Sequence, residues 1–386
     1  MKAVMYGAGN IGRGFIGQLF SASGYDVSFV DVAEPVVDAL NRNGRYPVRV
    51  LLQEGHREEW VERVSAVNGR DEAAVAETIA NADLMATAVG VNVLKFIVRP
   101  IALGLQKRFE ANRKPLNIII CENLIGADEL LRELIMAELP DGEIRAWFTD
   151  QVGLCEASIG RMVPIQTPEM QGDNPLRVCV EAYNELPVDR DAFKGELPAL
   201  QNLKPFSPFS FYIERKLYIH NMGHALCAYL GDTYGDEFIW QAMQRPLVEL
   251  TVLRAMTQSA MALAQRYSVD CRTLLQHVDD LLMRFKNRQL GDTCFRVGRD
   301  LRRKLAANDR LAGAIDSCKK AGVDNRYICL AYAFALRFSQ DDLLKELSPE
   351  AVMTDISGLD LSSEEAKLIA GLNGLSLEQA YQKISQ

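Results

Sequence analysis

Hydrophobic positions in the first half of the chain follow two alternating patterns. Short apolar runs such as "KAVMY", "DLMATAVG" and "LNIIICEN" are typical of buried strands. Between them, "AVAETIANA", "NVLKFIVRPIALGLQKRFEA" and "ADELLRELIMAEL" have apolar residues at helical spacing, and "EIRAWFTD" predicts a further strand. Strands that alternate with helices predict an α/β fold with a parallel, doubly wound sheet. Two more runs, "YPVRVLLQ" and "EEWVERVSAV", predict a hairpin inserted into it.

The second half of the chain has a different pattern. The segment "LPVDRDAFKGELPALQNLKPFSPFS" contains four prolines and predicts an irregular connection. From Phe209 onward the pattern is helical, over 209–230, over 236–267 with a kink at Pro246, over 271–286, and in several helices beyond. A chain of 386 residues also exceeds the usual size of one hydrophobic core. We therefore expect two domains, residues 1–192 with the sheet and hairpin, and residues 193–386 as an all-α domain.

A glycine-rich turn follows the first apolar run. In "YGAGNIGRGF" three glycines have the spacing G-x-G-x-x-G, and a helical pattern follows. Gly7 permits a tight turn, Gly9 lets backbone N–H groups approach a pyrophosphate, and Gly12 allows the helix to pack closely on the strand. Because the helix N-terminus adds a positive dipole end, the segment predicts a dinucleotide-binding Rossmann domain. The residues expected to contact the dinucleotide here are Gly7, Ala8, Gly9, Asn10, Ile11 and Gly12.

The strand after this helix, "DVSFVD", ends in an acidic residue. A carboxylate at Asp31 can accept hydrogen bonds from both ribose hydroxyls of an adenosine and would repel a 2′-phosphate, so NAD is favoured over NADP. Without the strand, helix and acid, the same glycines would indicate an ordinary turn. Ala88 and Val89 are also expected at the cofactor, because ligands bind beyond the carboxyl ends of parallel strands. Arg13 has two interpretations, a cation that neutralises the pyrophosphate or a solvated arginine in the first helical turn.

Polar residues stand in the otherwise apolar segment "RKLYIHNMGHALCAYLG". Because successive helical residues turn by about 100°, Asn221 lies about 140° and His224 about 80° from Lys216, and all three can face one wide cleft. His220, at about 40°, is not excluded by this geometry. Such residues are usually a solvated helix edge. Beside a nicotinamide, however, a desolvated lysine can take the proton of a secondary alcohol. Amides of Asn123 and Asn221 can stabilise the alkoxide, and His224 can orient the oxygen. This chemistry requires no metal.

Composition argues against several classes of protein. The 43 basic and 51 acidic residues give a net charge of −8, which disfavours general nucleic-acid binding. No apolar run approaches the roughly 18 residues of a membrane span and no signal-peptide core is present, so we expect a cytoplasmic protein. Eight scattered cysteines without a C-x-x-C pair are typical of buried thiols, and we expect no zinc or other metal. The expected partner is a small molecule, and the expected state is a monomer or a small homo-oligomer.

Segments along the whole chain resemble the polyol-specific long-chain dehydrogenases of the mannitol dehydrogenase family. They are "MYGAGNIGRGFIGQLF", "TAVGVNVL", "CENLIGA", "ERKLYIHNMGHALCAYLG", "RVGRDLRRKLAANDRL" and "ISGLDLSSE". The resemblance implies a zinc-independent, NAD-dependent secondary-alcohol dehydrogenase with a Rossmann domain and an α-helical domain. It also implies that Lys216 is the general acid/base and that Asn221, His224 and Asn123 surround the reacting oxygen. It places no functional histidine at His220.

The resemblance also bears on the substrate. The chain begins at the first strand, whereas the family's mannitol 2-dehydrogenases and hexuronate reductases usually carry extra N-terminal residues. This favours the sugar-phosphate branch and the interconversion of D-mannitol 1-phosphate and D-fructose 6-phosphate. The arginine-rich "RVGRDLRRK" either supplies Arg296 and Arg299 as cations for the phosphate or forms a solvated basic helix face.

Two positions depart from the family pattern. Gly160 stands where an aspartate usually precedes an arginine, and Arg288 stands where a proline commonly follows an asparagine. These departures keep an unphosphorylated polyol or a hexuronate as the alternative substrate. A third interpretation is a non-catalytic NAD-binding sensor, since a fold does not dictate function. The intact set of Lys216, Asn221, His224 and Asn123 argues against a sensor.

Overall fold

The computed structural model describes residues 1–386, which form two compact units, Met1–Ser210 and Phe211–Gln386. The boundary expected from the sequence, after residue 192, lies earlier in the chain. Residues beyond it still pack with the first unit, because the Asn117 side chain exchanges hydrogen bonds with the backbone of Lys194. The proline-rich connection therefore belongs to the first unit.

The first unit contains a parallel sheet of six strands. All strands of the chain are, in order, β1 (Lys2–Tyr6), β2 (Asp26–Asp31), β3 (Arg45–Leu51), β4 (His56–Glu62), β5 (Val64–Asn68), β6 (Leu84–Thr87), β7 (Leu116–Ile120), β8 (Val152–Glu156), β9 (Val178–Glu181), β10 (Leu186–Asp189) and β11 (Leu203–Phe206). The main sheet has the order β5-β2-β1-β6-β7-β8 with parallel neighbours throughout. Its order reverses between β1 and β6, the place where ligands bind in such sheets. The predicted doubly wound α/β fold is confirmed.

Helices cover both faces of this sheet, which explains its continuous apolar strands. Successive strand residues point to opposite faces, so Ala3 and Met5 join one core layer while Val4 and Tyr6 join the other. The α-helices of the first unit are α1 (Gly17–Ala22), α2 (Glu34–Asn43), α3 (Glu72–Ala80), α4 (Leu94–Ala111), α5 (Ala127–Glu138), α6 (Glu143–Gln151) and α7 (Pro168–Gln171). A π-helical segment, Gly12–Ile16, precedes α1, and one 3₁₀ turn, Val91–Val93, precedes α4.

The segment "EIRAWFTD", predicted as a strand, is a helix in the structure. It forms α6 because Ile144, Trp147 and Phe148 have the spacing of one buried helical face. The last strand of the main sheet is instead β8, which follows directly. The strand prediction was wrong because alternate residues of this short segment are also apolar.

The region predicted as a hairpin contributes strands to two different sheets. β3 and β4 pair antiparallel, and β3 also pairs in parallel with β9 to give a separate three-stranded sheet. The run "EEWVERVSAV", predicted as one strand, is broken at Arg63, which has a positive φ of 56°. The residues after the break form β5 at the edge of the main sheet. β10 and β11 make a further parallel pair.

The second unit is helical. Its α-helices are α8 (Ser210–Glu214), which spans the boundary, α9 (Met222–Thr233), α10 (Ile239–Ala242), α11 (Pro246–Tyr267), α12 (Cys271–Phe285), α13 (Cys294–Gly298), α14 (Leu301–Lys304), α15 (Ala312–Ala321), α16 (Arg326–Ala335), α17 (Leu343–Glu346), α18 (Pro349–Ala351), α19 (Glu364–Leu372) and α20 (Leu377–Ser385). π-Helical segments at Arg215–Asn221 and Val352–Ile356 and a 3₁₀ turn at Arg288–Leu290 complete it.

Two further properties of the helices concern sequence predictions. Pro246 does not kink a helix but begins α11, where its missing N–H would have had no partner. The residues before it form the separate short helix α10. None of the helices combines the length and the apolar character that crossing a bilayer requires.

Candidate active site

The glycine turn after β1 leaves space only where a ligand is expected. Gly7 has a positive φ of 102°, and a Cβ there would lie 2.5 Å from the carbonyl oxygen of Ala88 at the end of β6. A Cβ at Gly12 would overlap the carbonyl oxygen of Gly7. Around Gly9, by contrast, a Cβ would meet nothing within 4 Å. Gly7 and Gly12 are therefore needed to close the turn, while the position beside Gly9 has room for a ligand.

Arg13 matches neither sequence interpretation. Its side chain is buried, with Nε donating to the carbonyl oxygen of Ala8 at 2.7 Å and Nη1 donating to that of Leu176. The hydroxyl of Tyr46 donates to the carbonyl oxygen of Arg13 at 2.8 Å. Burial lowers the pKa of the guanidinium. Arg13 is thus neither solvated nor free for a pyrophosphate, because its side chain is buried and binds the backbone of the turn at Ala8 and that of the distant Leu176.

Asp31, at the end of β2, is bound to the same turn. Its Oδ2 accepts a hydrogen bond from the N–H of Ala8 at 2.6 Å, and its Oδ1 accepts one from the N–H of Ala33 at 2.9 Å. Each carboxylate oxygen can accept more than one hydrogen bond, so capacity remains for ribose hydroxyls. Asn10 is exposed and Ile11 is half-buried against the core.

The ends of β6 and β7 are joined by a carboxylate that sequence reasoning missed. Glu122 is buried and accepts hydrogen bonds from the N–H groups of Val89 at 2.9 Å and Gly90 at 2.7 Å. The N–H of Ala88 donates to the carbonyl oxygen of Tyr6. Asn123 follows Glu122 directly and its side chain is exposed. The signal for Glu122 was its place in "CENLIGA", next to a candidate residue at a strand end.

In the second unit, the predicted catalytic residues lie on one continuous helical stretch. The π-helical segment carries Lys216 and Asn221, and His224 is in the first turn of α9. Angles of 100° per residue therefore do not hold across residues 215–221. In a π-helix the hydrogen bonds run from residue i to i+5, so Lys216 and Asn221 stand one turn apart. Such segments frequently occur at functional sites.

Lys216 is half-buried and its amine has an unusual environment. Burial, and secondarily the charge of Arg310, lowers its pKa from 10.5 to about 8. No carboxylate contributes an opposing effect. The amine can therefore exchange a proton close to neutral pH.

The imidazole of His224 is held between an aromatic ring and a carboxylate. It stacks on Phe285 with ring centroids 4.8 Å apart and an interplanar angle of 6°. Its Nε2 lies 3.4 Å from Oδ2 of Asp292. Burial lowers its pKa to about 3, and four nearby cations act in the same direction: Arg296, Lys304, Arg310 and Arg284. His224 is consequently neutral at physiological pH.

His220 lies in the interior of the second unit. Its ring centroid is 6.2 Å from that of His224 and 5.8 Å from that of Phe285. Burial drives the pKa of His220 well below its usual value. It packs against the stacked pair of His224 and Phe285, and we assign it no role in the reaction.

The arginine-rich segment divides into an inward and an outward set. Arg296 is half-buried and its guanidinium contacts the carboxylate of Asp292. Arg299 is exposed, with its guanidinium 5.7 Å from the ring of Phe295. Arg302 is exposed as well. A solvated face thus describes Arg299 and Arg302, whereas Arg296 is half-buried and paired with Asp292, and the phosphate-binding role stays a prediction.

Two inward cations were missed by sequence reasoning. Lys304 is buried and donates to the carbonyl oxygens of Val297 and Arg299, and burial lowers its pKa to about 7. Arg310 is buried beside Asp309, with Nε 2.8 Å from Oδ1. Both lie in the quoted run "RVGRDLRRKLAANDRL", but a charge pattern does not reveal which side chains turn inward.

The two residues that depart from the family pattern, Gly160 and Arg288, each lie beside an aromatic ring. A Cβ at Gly160 would come 3.1 Å from the ring of Tyr183. Arg288 is exposed and its guanidinium lies 5.1 Å from the ring of Trp240.

Seven of the eight cysteines are buried, as predicted, and the eighth, Cys271, is half-buried. No three His, Cys, Asp or Glu side chains are grouped to hold a metal ion.

A glycine turn at the reversal point of a doubly wound sheet, followed by a helical unit with a half-buried lysine of lowered pKa, defines a two-domain protein of the Rossmann class. Family models match both parts: the mannitol dehydrogenase Rossmann domain matches residues 1–202, and the mannitol dehydrogenase C-terminal domain matches residues 209–355. The chain belongs to the mannitol dehydrogenase family.

Individual relatives agree with this assignment. A mannitol-1-phosphate 5-dehydrogenase of Brevibacillus brevis is 41% identical over 338 residues, which cover 88% of this chain and 86% of the relative. One of Bacillus licheniformis is 38% identical over 379 residues, covering 96% and 98%. Among solved structures, a substrate-free D-sorbitol dehydrogenase superposes with a TM-score of 0.81 at 13% identity, covering 98% and 94%. Pseudomonas fluorescens mannitol 2-dehydrogenase with NAD and D-mannitol gives 0.69 at 15%, covering 100% and 94%, and both support the fold.

Proposed function

We propose that this chain is an NAD-dependent oxidoreductase that interconverts D-mannitol 1-phosphate and D-fructose 6-phosphate, with Lys216 as the general acid/base and no catalytic metal. The observation that carries the proposal is a half-buried lysine whose pKa burial lowers to about 8, in a unit where four cations lower the pKa of His224. The two relatives with 41% and 38% identity bear the name of an enzyme for mannitol 1-phosphate. Arg288 is exposed and its guanidinium lies beside the ring of Trp240, which gives no reason to prefer an unphosphorylated substrate.

The glycine turn and Asp31 suit NAD. Backbone N–H groups of residues 9–12 can approach a pyrophosphate through the open space at Gly9. Asp31 has acceptor capacity left for ribose hydroxyls, and its charge disfavours a 2′-phosphate. NAD, when bound, supplies the acceptor for the hydride of the alcohol. Asn10, Ile11, Ala88 and Val89 complete the set that we assign to the cofactor.

Lys216 exchanges a proton with the reacting alcohol. In its neutral form the amine accepts the hydroxyl proton during oxidation, and in its charged form it returns a proton during reduction. A pKa of about 8 keeps both forms populated near neutral pH, which suits a reversible reaction. Amide groups of Asn221 and Asn123 donate hydrogen bonds to the oxygen as negative charge develops, and neutral His224 orients it.

The inward cations suit a phosphate group. Arginine binds phosphate through paired N–H donors, and the positive field of the cations that lower the pKa of His224 favours a dianion. We assign the main contact to Arg296, which is half-buried and acts on His224, with Lys304 and Arg310 adding to the positive field. Arg299 is exposed and is a secondary candidate.

A substrate panel tests the proposal. Purified protein is given NADH with D-fructose 6-phosphate, D-fructose or a hexuronate, and NAD⁺ with D-mannitol 1-phosphate or D-mannitol. We expect kcat/KM to be at least about 100-fold higher for each phosphorylated compound, because charge-assisted hydrogen bonds to a phosphate contribute about 1.5–3 kcal/mol each. Reduction of fructose 6-phosphate no better than fructose would remove the phosphate assignment.

A lysine variant separates an enzyme from a sensor. Lys216→Ala should lose turnover by about 10²–10⁴-fold, the range for general acid–base catalysis, yet bind NADH with unchanged affinity. Lys367→Ala, at an exposed lysine of α19, is the matched control and should keep full activity. Wild-type protein that binds NADH but turns over no member of the panel would instead support a sensor.

A further inference from the structure

Asp292 is a buried carboxylate that touches two parts of the candidate site at once. One oxygen, Oδ1, contacts the guanidinium of Arg296, four residues later. The other, Oδ2, lies 3.4 Å from Nε2 of His224. Removing a carboxylate from water is costly unless both oxygens find donors. Its placement therefore ties the histidine of the reacting oxygen to the arginine that we assign to the phosphate.

The backbone around Asp292 is fixed from both sides. Its carbonyl oxygen accepts a hydrogen bond from the N–H of Ile239 at 2.9 Å, and the N–H of Cys294 donates to the carbonyl oxygen of Glu237 at 2.8 Å. The pair Phe238 and Thr293 forms a β-bridge between these bonds. The carboxylate is thus presented from a rigid connection between α12 and α13.

Stacking on Phe285 fixes the plane of the His224 ring but not which ring nitrogen faces Asp292. A 180° rotation of the ring about the Cβ–Cγ bond exchanges its nitrogen and carbon positions and keeps the stacking. A carboxylate beside Nε2 removes this ambiguity, because only a nitrogen that carries a proton can donate to it. With the proton on Nε2, this nitrogen faces the carboxylate and Nδ1 is left as a hydrogen-bond acceptor.

We propose that Asp292 is a positioning residue that holds His224 in the Nε2–H tautomer and, through its other oxygen, keeps the guanidinium of Arg296 in place. The reacting oxygen and the phosphate are thereby aligned by one side chain. This inference rests on the proposed function for its effect on turnover, but its structural part does not. An asparagine could not replace the carboxylate, because its amide offers one acceptor oxygen and would leave either His224 or Arg296 facing an NH₂ group.

The tautomer can be read without any activity. The chain has four histidines, so ¹⁵N-histidine labelling gives a simple spectrum, and His224→Gln assigns the signal. At neutral pH we expect His224 to be neutral with its proton on Nε2, and to shift toward the Nδ1–H form in Asp292→Asn. A wild-type His224 that carries its proton on Nδ1 would overturn the proposal, whatever the substrate is.

Kinetics test the coupling. Asp292→Asn should lower kcat for fructose 6-phosphate about 10–100-fold, the range seen when a partner that orients a metal-binding histidine is removed, and raise KM. In a His224→Gln background the same change should lower kcat less than about threefold, because residues that act together are not additive. An equal loss of kcat in both backgrounds contradicts the proposal.

A matched control separates positioning from loss of folding. Asp316 also pairs with a cation four residues later, Lys320, but both side chains are exposed. Asp316→Asn should leave kcat, KM and Tm unchanged. If Asp292→Asn fails to fold, a wild-type His224 with its proton on Nδ1 would still overturn the proposal. Failure of the proposed function would appear differently, as wild-type protein without turnover on the substrate panel.

Discussion

Replacing Lys216 by methionine should stabilise the protein while removing its activity. Methionine keeps the apolar length of the lysine side chain and has no charge to bury. The amine of Lys216 has no carboxylate partner to offset its burial. Its retention is therefore explained by function, because burial of the charge works against folding.

The size of the effect follows from the shifted pKa. A decrease from 10.5 to about 8 corresponds to about 3 kcal/mol. Because the folded pKa is lower than the unfolded one, the unfolded chain binds more protons between these values, and stability rises with pH there. The decrease in the free energy of unfolding that Lys216 causes is complete below pH about 8 and is lost above about 10.5. Lys216→Met should thus gain about 3 kcal/mol at pH 7 and about 1.4 kcal/mol at pH 9.5.

Thermal unfolding at the two pH values measures this difference. For a unit of this size, about 3 kcal/mol corresponds to an increase in Tm of at least about 6 °C. Lys367→Met, at an exposed lysine of the same unit, is the control and should change stability by less than about 0.5 kcal/mol. A Lys216→Met variant that is no more stable than wild type at pH 7, or whose gain is the same at pH 9.5, would refute the reasoning.

Three further predictions concern the pH optimum, the cofactor turn and the phosphate. In pH–rate profiles, kcat/KM for mannitol 1-phosphate oxidation should rise to a plateau above pH about 8, because the amine of Lys216 must be neutral to accept a proton. The kcat/KM for fructose 6-phosphate reduction should fall above the same pH, because the amine must then be charged. Gly9→Ala should weaken NADH binding in a fluorescence titration without lowering Tm, whereas Gly12→Ala should lower Tm, because its Cβ would overlap the carbonyl of Gly7. Arg296→Ala should raise KM for fructose 6-phosphate about tenfold or more, while Arg302→Ala, which removes an exposed cation, should not. A similar KM in both arginine variants would contradict the phosphate assignment.

Much of the first unit could be predicted because its information is local. Continuous apolar strands, helical spacing and the glycine turn each follow from nearest neighbours in the sequence. The segment of α6 was mispredicted for the same reason. Ile144, Ala146 and Phe148 alternate as in a strand, while Ile144, Trp147 and Phe148 are spaced as in a helix, and only packing decides between the two patterns.

The surroundings of the candidate residues could not be predicted, because they depend on distant parts of the chain. Arg13 is buried through a bond to Leu176, 163 residues later. Lys304 and Arg302 belong to one basic run, yet Lys304 is buried and Arg302 is exposed. A helical angle of 100° per residue also fails at Lys216, because the segment is π-helical.

The central claim, that the amine of Lys216 transfers the proton of the alcohol, is tested most directly by the pH dependence of a single turnover. Wild-type protein and Lys216→Ala are saturated with NADH, mixed rapidly with fructose 6-phosphate, and followed by the loss of NADH absorbance from pH 6 to 10. We predict a wild-type rate that falls above pH about 8, and a variant rate lower by about 10²-fold or more without that dependence. A variant that reacts within a few-fold of wild type, or that keeps the same decrease near pH 8, would contradict the claim.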